Sequence, residues 1–368
     1  MKILRNYILK DFVSVSLFSF LLTAMVMLMG NMVPITDMII RKGVNFFDAM
    51  KIFLFHAPVL LKYIIPISFL FGVLLVMGRL IADNELTAIR VAGISLMKIL
   101  NIFLIVGFIF SLLLFILNDK VIPDFHYRYQ KGKKTFIFKN ISSLIEPGVF
   151  LENFEKYVLY VSDKYDENKL KNVFIYELSE TSDTNKVIFA KRGEFIRDGD
   201  ILKIKLEDGF RDEASTSKGK ELYRLNFKVF FMDIPIHKKE KGKIRKKPTD
   251  MSIKELKEKI IYLKNLGLDS PYEPLELRRE LHERISLPFS IIVFIILGFG
   301  VSLLVKHRER SVNLLLAILG FGLYYLLWFL GTVLIEHEYI ATWLGMWMPN
   351  FIIAAIGFYL FFRHANTG

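Results

Sequence analysis

Residues Ile94–Leu117 read ISLMKILNIFLIVGFIFSLLLFIL, with Lys98 the only charged side chain, and the run stops at Asn118-Asp119-Lys120. About 20 apolar residues in a helix cross the hydrocarbon of a bilayer, so this stretch is long enough to span one. Two such runs precede it, Phe12–Val33 and Ile52–Met77. Three follow, Ile285–Val305, Val312–Ile335 and Ile340–Phe362. Between the third and the fourth lies a polar insert, residues 119–283. The order is three spans, a large water-facing domain and three spans. It predicts a polytopic α-helical membrane protein with six transmembrane helices.

Composition agrees, since 53% of the residues are hydrophobic even though the middle of the chain is hydrophilic. Met1–Arg5 ahead of an apolar run has the outline of a signal peptide. The run is too long for one, and Leu28-Met29-Gly30-Asn31-Met32 offers no small-x-small cleavage site, so the first helix is read as retained. Orientation follows from Lys and Arg in short segments. The side holding both termini carries Lys2, Arg5, Lys10, Arg79, Arg90, Lys98, Lys306, Arg308, Arg310 and Arg363. The opposite side carries Arg41, Lys42, Lys51 and Lys62, with the acidic loop Glu336-His337-Glu338. Both termini are therefore expected in the cytoplasm and the insert outside it. The absence of cysteine fits an oxidising space and excludes disulfides, thiolate zinc sites and Fe–S clusters. The insert holds 34 of the 49 Lys and Arg against 29 of the 37 Asp and Glu, too balanced to suggest nucleic acid.

Three regions are expected: 1–118, 119–283 and 284–368. From about 135 to 236 the insert reads as strands, as in Tyr157–Val161, Asn172–Tyr176, Ile201–Leu206 and Leu222–Phe230. Several alternate apolar and polar residues with the period of a half-buried strand, and Gly- and Asp-rich breaks separate them. This favours a sandwich or jellyroll over a parallel sheet. Val158, Tyr160, Phe174, Tyr176, Phe227 and Val229 are read as its inward face, lining either an open groove or a closed core. Lys238–Lys247 is a basic connection. A helical connector follows at about 250–283, opened by Ser252 as N-cap with Glu255 three residues on, a capping box. Its second helix, Glu273–Arg284, runs into the fourth span.

Catalytic patterns are lacking. The seven histidines form no i, i+4 metal pair, no phosphate loop is present, and Glu336-His337-Glu338 reads as a solvated loop. No cofactor or metal is expected, and no catalytic residue stands out. Residues 79–93, RLIADNELTAIRVAG, read instead as a short amphipathic helix at the membrane face, with Asp83 or Asn84 as N-cap and Gly93 near its end. Asp83 and Glu85 sit where a helix dipole favours acids. An exposed carboxylate there also suits pairing with an arginine of a soluble motor subunit.

Pro66–Leu74 with Glu85–Gly93, Glu280–Ser290 entering the fourth span, and Met251–Leu256 together resemble the YjgP/YjgQ permease family. Its members are the LptF/LptG subunits of the lipopolysaccharide export ABC transporter. The likeness covers essentially the whole chain. It implies a bacterial inner-membrane protein with a periplasmic β-jellyroll between helices 3 and 4, paired with a sister permease (LptG or LptF) over an LptB-type ATPase dimer. It further implies that lipopolysaccharide passes to LptC and LptA, and that helices one and five form lateral gates. On this resemblance Glu85, flanked by Asp83 and Arg90, couples to the ATPase. Arg41, Lys42, Lys62, Arg128 and Lys131 are candidate contacts for lipid A phosphates, with snorkelling to the interface as the alternative. Pro66–Gly72 is more like LptF and Arg41-Lys42 more like LptG. Two other readings are an ABC-linked mechanotransmission protein acting on periplasmic partners without lipid transport, and a membrane enzyme acting on envelope lipids.

Overall fold

The computed structural model describes residues 2–40, 44–139, 147–154, 157–165, 169–177, 184–198, 201–215, 221–234, 239–240, 243–244, 246–265, 272–304 and 310–365. They divide into two compact units. One comprises Met1–Val33, Phe53–Tyr129 and Lys246–Gly368, the other Pro34–Ile52 and Gln130–Arg245.

The first unit is a helical bundle. Its spans are α1 (Lys2–Ile40), α2 (Phe46–Ala82), α4 (Leu96–Ile116) and, after the insert, α7 (Tyr272–Ser302), α8 (Arg310–Glu336) and α9 (Thr342–Ala365). The six apolar helices are long enough to cross a membrane, and α1 and α2 extend into the second unit. A short helix, α3 (Glu85–Val91), joins α2 to α4. Helix α4 does not end where its apolar run ends. A π-helical turn, Leu117–Val121, carries it into α5 (Ile122–Lys139).

In lipid the apolar side chains of a span gain nothing by turning inward, so close approach and polar pairing decide the packing. Gly300 on α7 faces Gly357 on α9, where an added Cβ would lie 2.5 Å from the Gly357 carbonyl oxygen. Only glycine lets these backbones meet. The aromatic centre is Phe12 on α1, wedged against Phe69 (5.6 Å between centroids) and Phe103 (4.6 Å). The spans differ sharply in burial. In their most apolar windows α2 and α7 are 72% and 78% buried, but α1 and α8 only 22% and 17%.

Pro288 explains a contact in α7. A proline lacks the N–H that would bond to the carbonyl four residues back. That carbonyl, on Arg284, instead accepts a hydrogen bond from Asn118 Nδ2 in the π-helical turn, at 3.3 Å. The next residue, Asp119, accepts from the Ile253 amide at 2.7 Å and so helps to hold the start of α6 (Ile253–Asn265). Ser252 and Glu255 form the reciprocal capping box: the Ser252 amide donates to Glu255 Oε2 at 2.8 Å, and the Glu255 amide to Ser252 Oγ at 3.3 Å. Glu255 is partly buried, which raises its pKa, yet Lys246 and Ser252 hold it net below the usual carboxylate value. Met251, Leu256 and Leu277 bury this connector against α7.

The second unit holds a six-stranded antiparallel sheet in sequential order. Its strands are β1 (Phe150–Phe154), β2 (Tyr157–Lys164), β3 (Lys169–Glu177), β4 (Thr184–Asp198), β5 (Ile201–Ser215) and β6 (Glu221–Ile234). A two-residue pair, β7 (Lys239–Glu240) and β8 (Lys243–Ile244), follows.

Alternation along these strands reverses at a line of polar residues. Ser162, Asn172, Lys191, Asp208 and Lys228 stand opposite one another from β2 to β6, where each register skips one pair. Asn172 and Asp208 have positive φ, 47° and 54°, the left-handed region that Asn and Asp tolerate best after glycine. On one side of the line Leu159, Val161, Val173, Ile175, Ile188 and Ala190 are buried. Across it, Leu170, Phe195, Ile204, Leu206 and Met232 are. All belong to one cluster, so the sheet folds along the line and closes on its own apolar side.

This reverses most of the expected inward face. Val158, Tyr160, Phe174 and Tyr176 lie on the opposite face, and Val229 is 48% exposed; only Phe227 packs against the cluster. Tyr160 and Phe174 belong to a row of aromatic neighbours running Phe150, Tyr160, Phe174, Phe189, Phe210, with centroids 4.6–6.1 Å apart. Arg224 caps the row, 4.2 Å over the Phe210 ring, while donating two 2.7 Å hydrogen bonds to Asp212. Those bonds hold the Asp212 carboxyl below its usual pKa.

Candidate functional site

Helix α3 is short because its sequence stops it at both ends. Asn84 takes a left-handed conformation (φ 56°) before its first turn, and Gly93 (φ 77°) follows its last. Leu86 and Ile89 are buried, three residues apart on one side. Thr87, Ala88 and Val91 are exposed, Val91 by 84%. The helix therefore presents a small, mostly apolar outer face, with Asp83 exposed before it and Arg90 half-buried within it.

Glu85 is not a free carboxylate. Both of its oxygens accept from the Tyr7 hydroxyl at 3.0 Å. Tyr7 Oη in turn accepts from Arg79 Nη2 at 2.8 Å, and Arg79 Nη1 binds Asp11 at 2.9 Å. Tyr7 and Asp11 are four residues apart on α1, so both reach the same guanidinium on the last turn of α2. The Arg79 guanidinium also sits 5.5 Å over the Tyr7 ring. The direction of the bonds is forced: Arg79 can only donate into the phenolic oxygen, which leaves the phenolic hydrogen for Glu85. Sequence reading placed Glu85 and missed Tyr7 and Asp11. Their i, i+4 spacing on the first helix was visible, but their common partner lies far along the chain.

The expected substrate cations have different surroundings. Lys62 forms an ion pair with Glu283 of α7 at 3.2 Å, with side chains 18% and 12% exposed. It also lies 4.8 Å over the Tyr63 ring. Next to Glu283, Arg284 is nearly fully buried. It binds Glu280 at 2.9 Å and donates to the carbonyls of Pro248 and Thr249. The Glu280–Ser290 stretch thus pairs a lysine of α2 and anchors the connector. Arg128 pairs with Asp124 at 2.9 Å, one turn away on an exposed face of α5. Lys131 is exposed on the same helix. Arg41 and Lys42 lie outside the described residues.

An apolar cavity of about 290 Å³ opens between α1, α2 and α4, lined by Phe12, Leu17, Phe20, Leu61, Ile65 and Phe110 among others. Ser16 Oγ borders it, buried and without a hydrogen-bond partner. Its chemistry suits an acyl chain. Among the described residues no cluster of three or more His, Asp or Glu is placed to hold a metal ion. Glu336, the first residue of the Glu336-His337-Glu338 stretch, pairs with Arg279 at 2.8 Å.

One protein-family model matches the chain from residue 6 to residue 363, that of the lipopolysaccharide export system permease LptF/LptG. No curated protein matches.

Proposed function

The chain belongs to the LptF/LptG family of lipopolysaccharide export permeases, and on that premise we propose that it is one of two permeases extracting lipopolysaccharide from the inner membrane under the drive of a separate ATPase. As a family member it is a multi-pass inner-membrane transport subunit rather than an enzyme. Hydrolysis in this reading falls to an LptB-type ATPase dimer, which docks on α3 through Asp83, Glu85 and Arg90 in the cytoplasm, where both termini also lie.

The family match over residues 6–363 carries the proposal, and the uneven burial of the spans supports it. Apolar faces left bare by the rest of the chain face lipid or a partner. Helices α1 and α8, at 22% and 17%, are the spans with faces to spare for a sister permease and for lipid sliding between them. The cavity beside α1 is suited to an acyl chain on that path. Lys62, Arg128, Lys131, Arg41 and Lys42 are the cations offered to lipid A phosphates. Lys62 would have to exchange Glu283 for phosphate to serve.

The folded sheet takes the part of the periplasmic jellyroll, handing lipid to LptC and LptA. Its closed side suits a resting state, because acyl chains in transit need the apolar face between the two halves to part. The deciding test is a mild-detergent pull-down of the tagged chain with mass spectrometry of proteins and lipids. A soluble ABC ATPase, a sister permease and lipopolysaccharide are expected together. The ATPase without lipid would favour mechanotransmission, and recovery of neither would sink the proposal.

A further inference from the structure

The hydrogen-bonded chain Asp11–Arg79–Tyr7–Glu85 joins α1, α2 and α3 at one end of the bundle. We infer that Tyr7 is a positioning residue that holds Glu85 inside the permease until a motor cation takes it, so that docking of the ATPase and loss of the α1–α3 bond are one event. The inference rests on the proposed coupling role of Glu85.

Four features support it. Tyr7 offers one proton to two carboxylate oxygens at equal 3.0 Å distances, an arrangement easily exchanged for a bidentate guanidinium from a partner. Arg79 fixes the hydroxyl rotor by donating into it, so Tyr7 is oriented toward Glu85 rather than free to turn away. The contacts on either side are unequal. Arg79 and Asp11 form a direct ion pair with side chains 32% and 17% exposed, whereas the Tyr7–Glu85 bond is exposed and is the weaker link. And the seating of α1 does not depend on that bond: Ile8 and Phe12 are buried in the core cluster, so Glu85 can change partner without unseating the helix. When Glu85 changes partner, Tyr7 loses its acceptor and α1 loses its bond to α3, while Arg79 still holds both Tyr7 and Asp11 of α1 to α2. A ligand shifts a two-state equilibrium only by its differential affinity for the two states. Here the difference is the bond that Glu85 exchanges.

Tyr7→Phe keeps the ring over Arg79 and removes only the hydroxyl. In the reconstituted complex it is expected to tighten ATPase binding roughly threefold to tenfold, the worth of one competing hydrogen bond. It is also expected to lower lipid released per ATP hydrolysed while thermal stability holds. Arg79→Lys should act in the same direction, because an ammonium lacks the planar fork that serves two acceptors at once. A side chain that merely packs would change stability and leave affinity alone. If Glu85→Ala loosens the ATPase but Tyr7→Phe leaves affinity and lipid yield unchanged, or weakens binding, the positioning role is wrong and the coupling role stands. If Glu85→Ala leaves ATPase binding intact, the coupling role itself is wrong.

Discussion

The sheet and the bundle bury their residues by opposite rules. In the sheet a side chain's place follows from counting along the strand: Val173 and Ile175 are in, Phe174 is out, and the count reverses once, at Asn172. In the bundle counting yields little, because lipid-facing and core-facing positions are equally apolar. Leu70 on α2 is 1% exposed and Leu319 on α8 is 58% exposed, yet both are leucines within apolar runs. Leu70 packs among Phe294, Leu297 and Tyr324 beside Gly298 and Gly320, in a bundle whose helices are tied by polar pairs such as Lys62–Glu283 and Asn350–Ser286. A domain in water is thus organised by its apolar pattern, and a domain in lipid by the exceptions to it.

The sharpest way to break that contrast is to remove an exception. Glu283→Leu makes the bundle more apolar, yet it strands the Lys62 ammonium in a largely buried site. It should destabilise by about 3–5 kcal/mol, the usual cost of leaving one half of a buried pair. Adding Lys62→Met should recover most of the loss. Thermal unfolding in detergent would read both, and a tolerated single mutant would refute the internal pairing.

Within the sheet the corresponding test adds bulk where the pattern allows none. The position of Gly193 is core-facing, and a Cβ there would sit 2.9 Å from Val173 Cγ2. Gly193→Val should cost about 2 kcal/mol through overpacking. Asn172→Val should cost about 1–2 kcal/mol, because a β-branched residue resists the positive φ on which the fold line depends. Asn172→Gly should be neutral or better. If both variants unfold alike, the line is not a conformational hinge point of the sheet.

Smaller effects sharpen the comparison further. Leu319→Ala on the bare face of α8 should change the isolated chain by less than about 0.5 kcal/mol. Its effect should grow in the assembled permease if a partner covers that face. On the outer side of the sheet, Arg224 depresses the pKa of Asp212. The contribution of that pair is therefore complete above the ordinary Asp range near 4 and is lost as pH falls through the lower folded value. Asp212→Asn should flatten the acid limb of the stability curve, and an unchanged limb would leave the pair energetically idle.

Much of the site was legible for the same physical reasons. Asn84 and Gly93 bracket α3 in the sequence, and Ser252 with Glu255 announces the start of α6, because caps act over three or four residues. Glu85 could be placed on a helix start, but not its bond to Tyr7, 78 residues away. Lys62 could be recognised as unusual in an apolar run, but not its pairing with Glu283, 221 residues on. The inward face of the sheet was misread because a period-2 count assumes that no residue turns left-handed. Asn172 and Asp208, polar residues within strands, were the available sign.

By itself the sequence determined the six spans, the inserted strands, the short helix between the second and third spans, and the family resemblance. These rest on run length, alternation and local caps, all of which act within a few residues. Tertiary structure alone decided which face of the sheet closes, which two spans stay bare, how the freed Arg284 carbonyl finds Asn118, and that Glu85 is held by Tyr7. Each of these joins residues distant along the chain, or depends on a single backbone angle that a pattern of residue types does not encode.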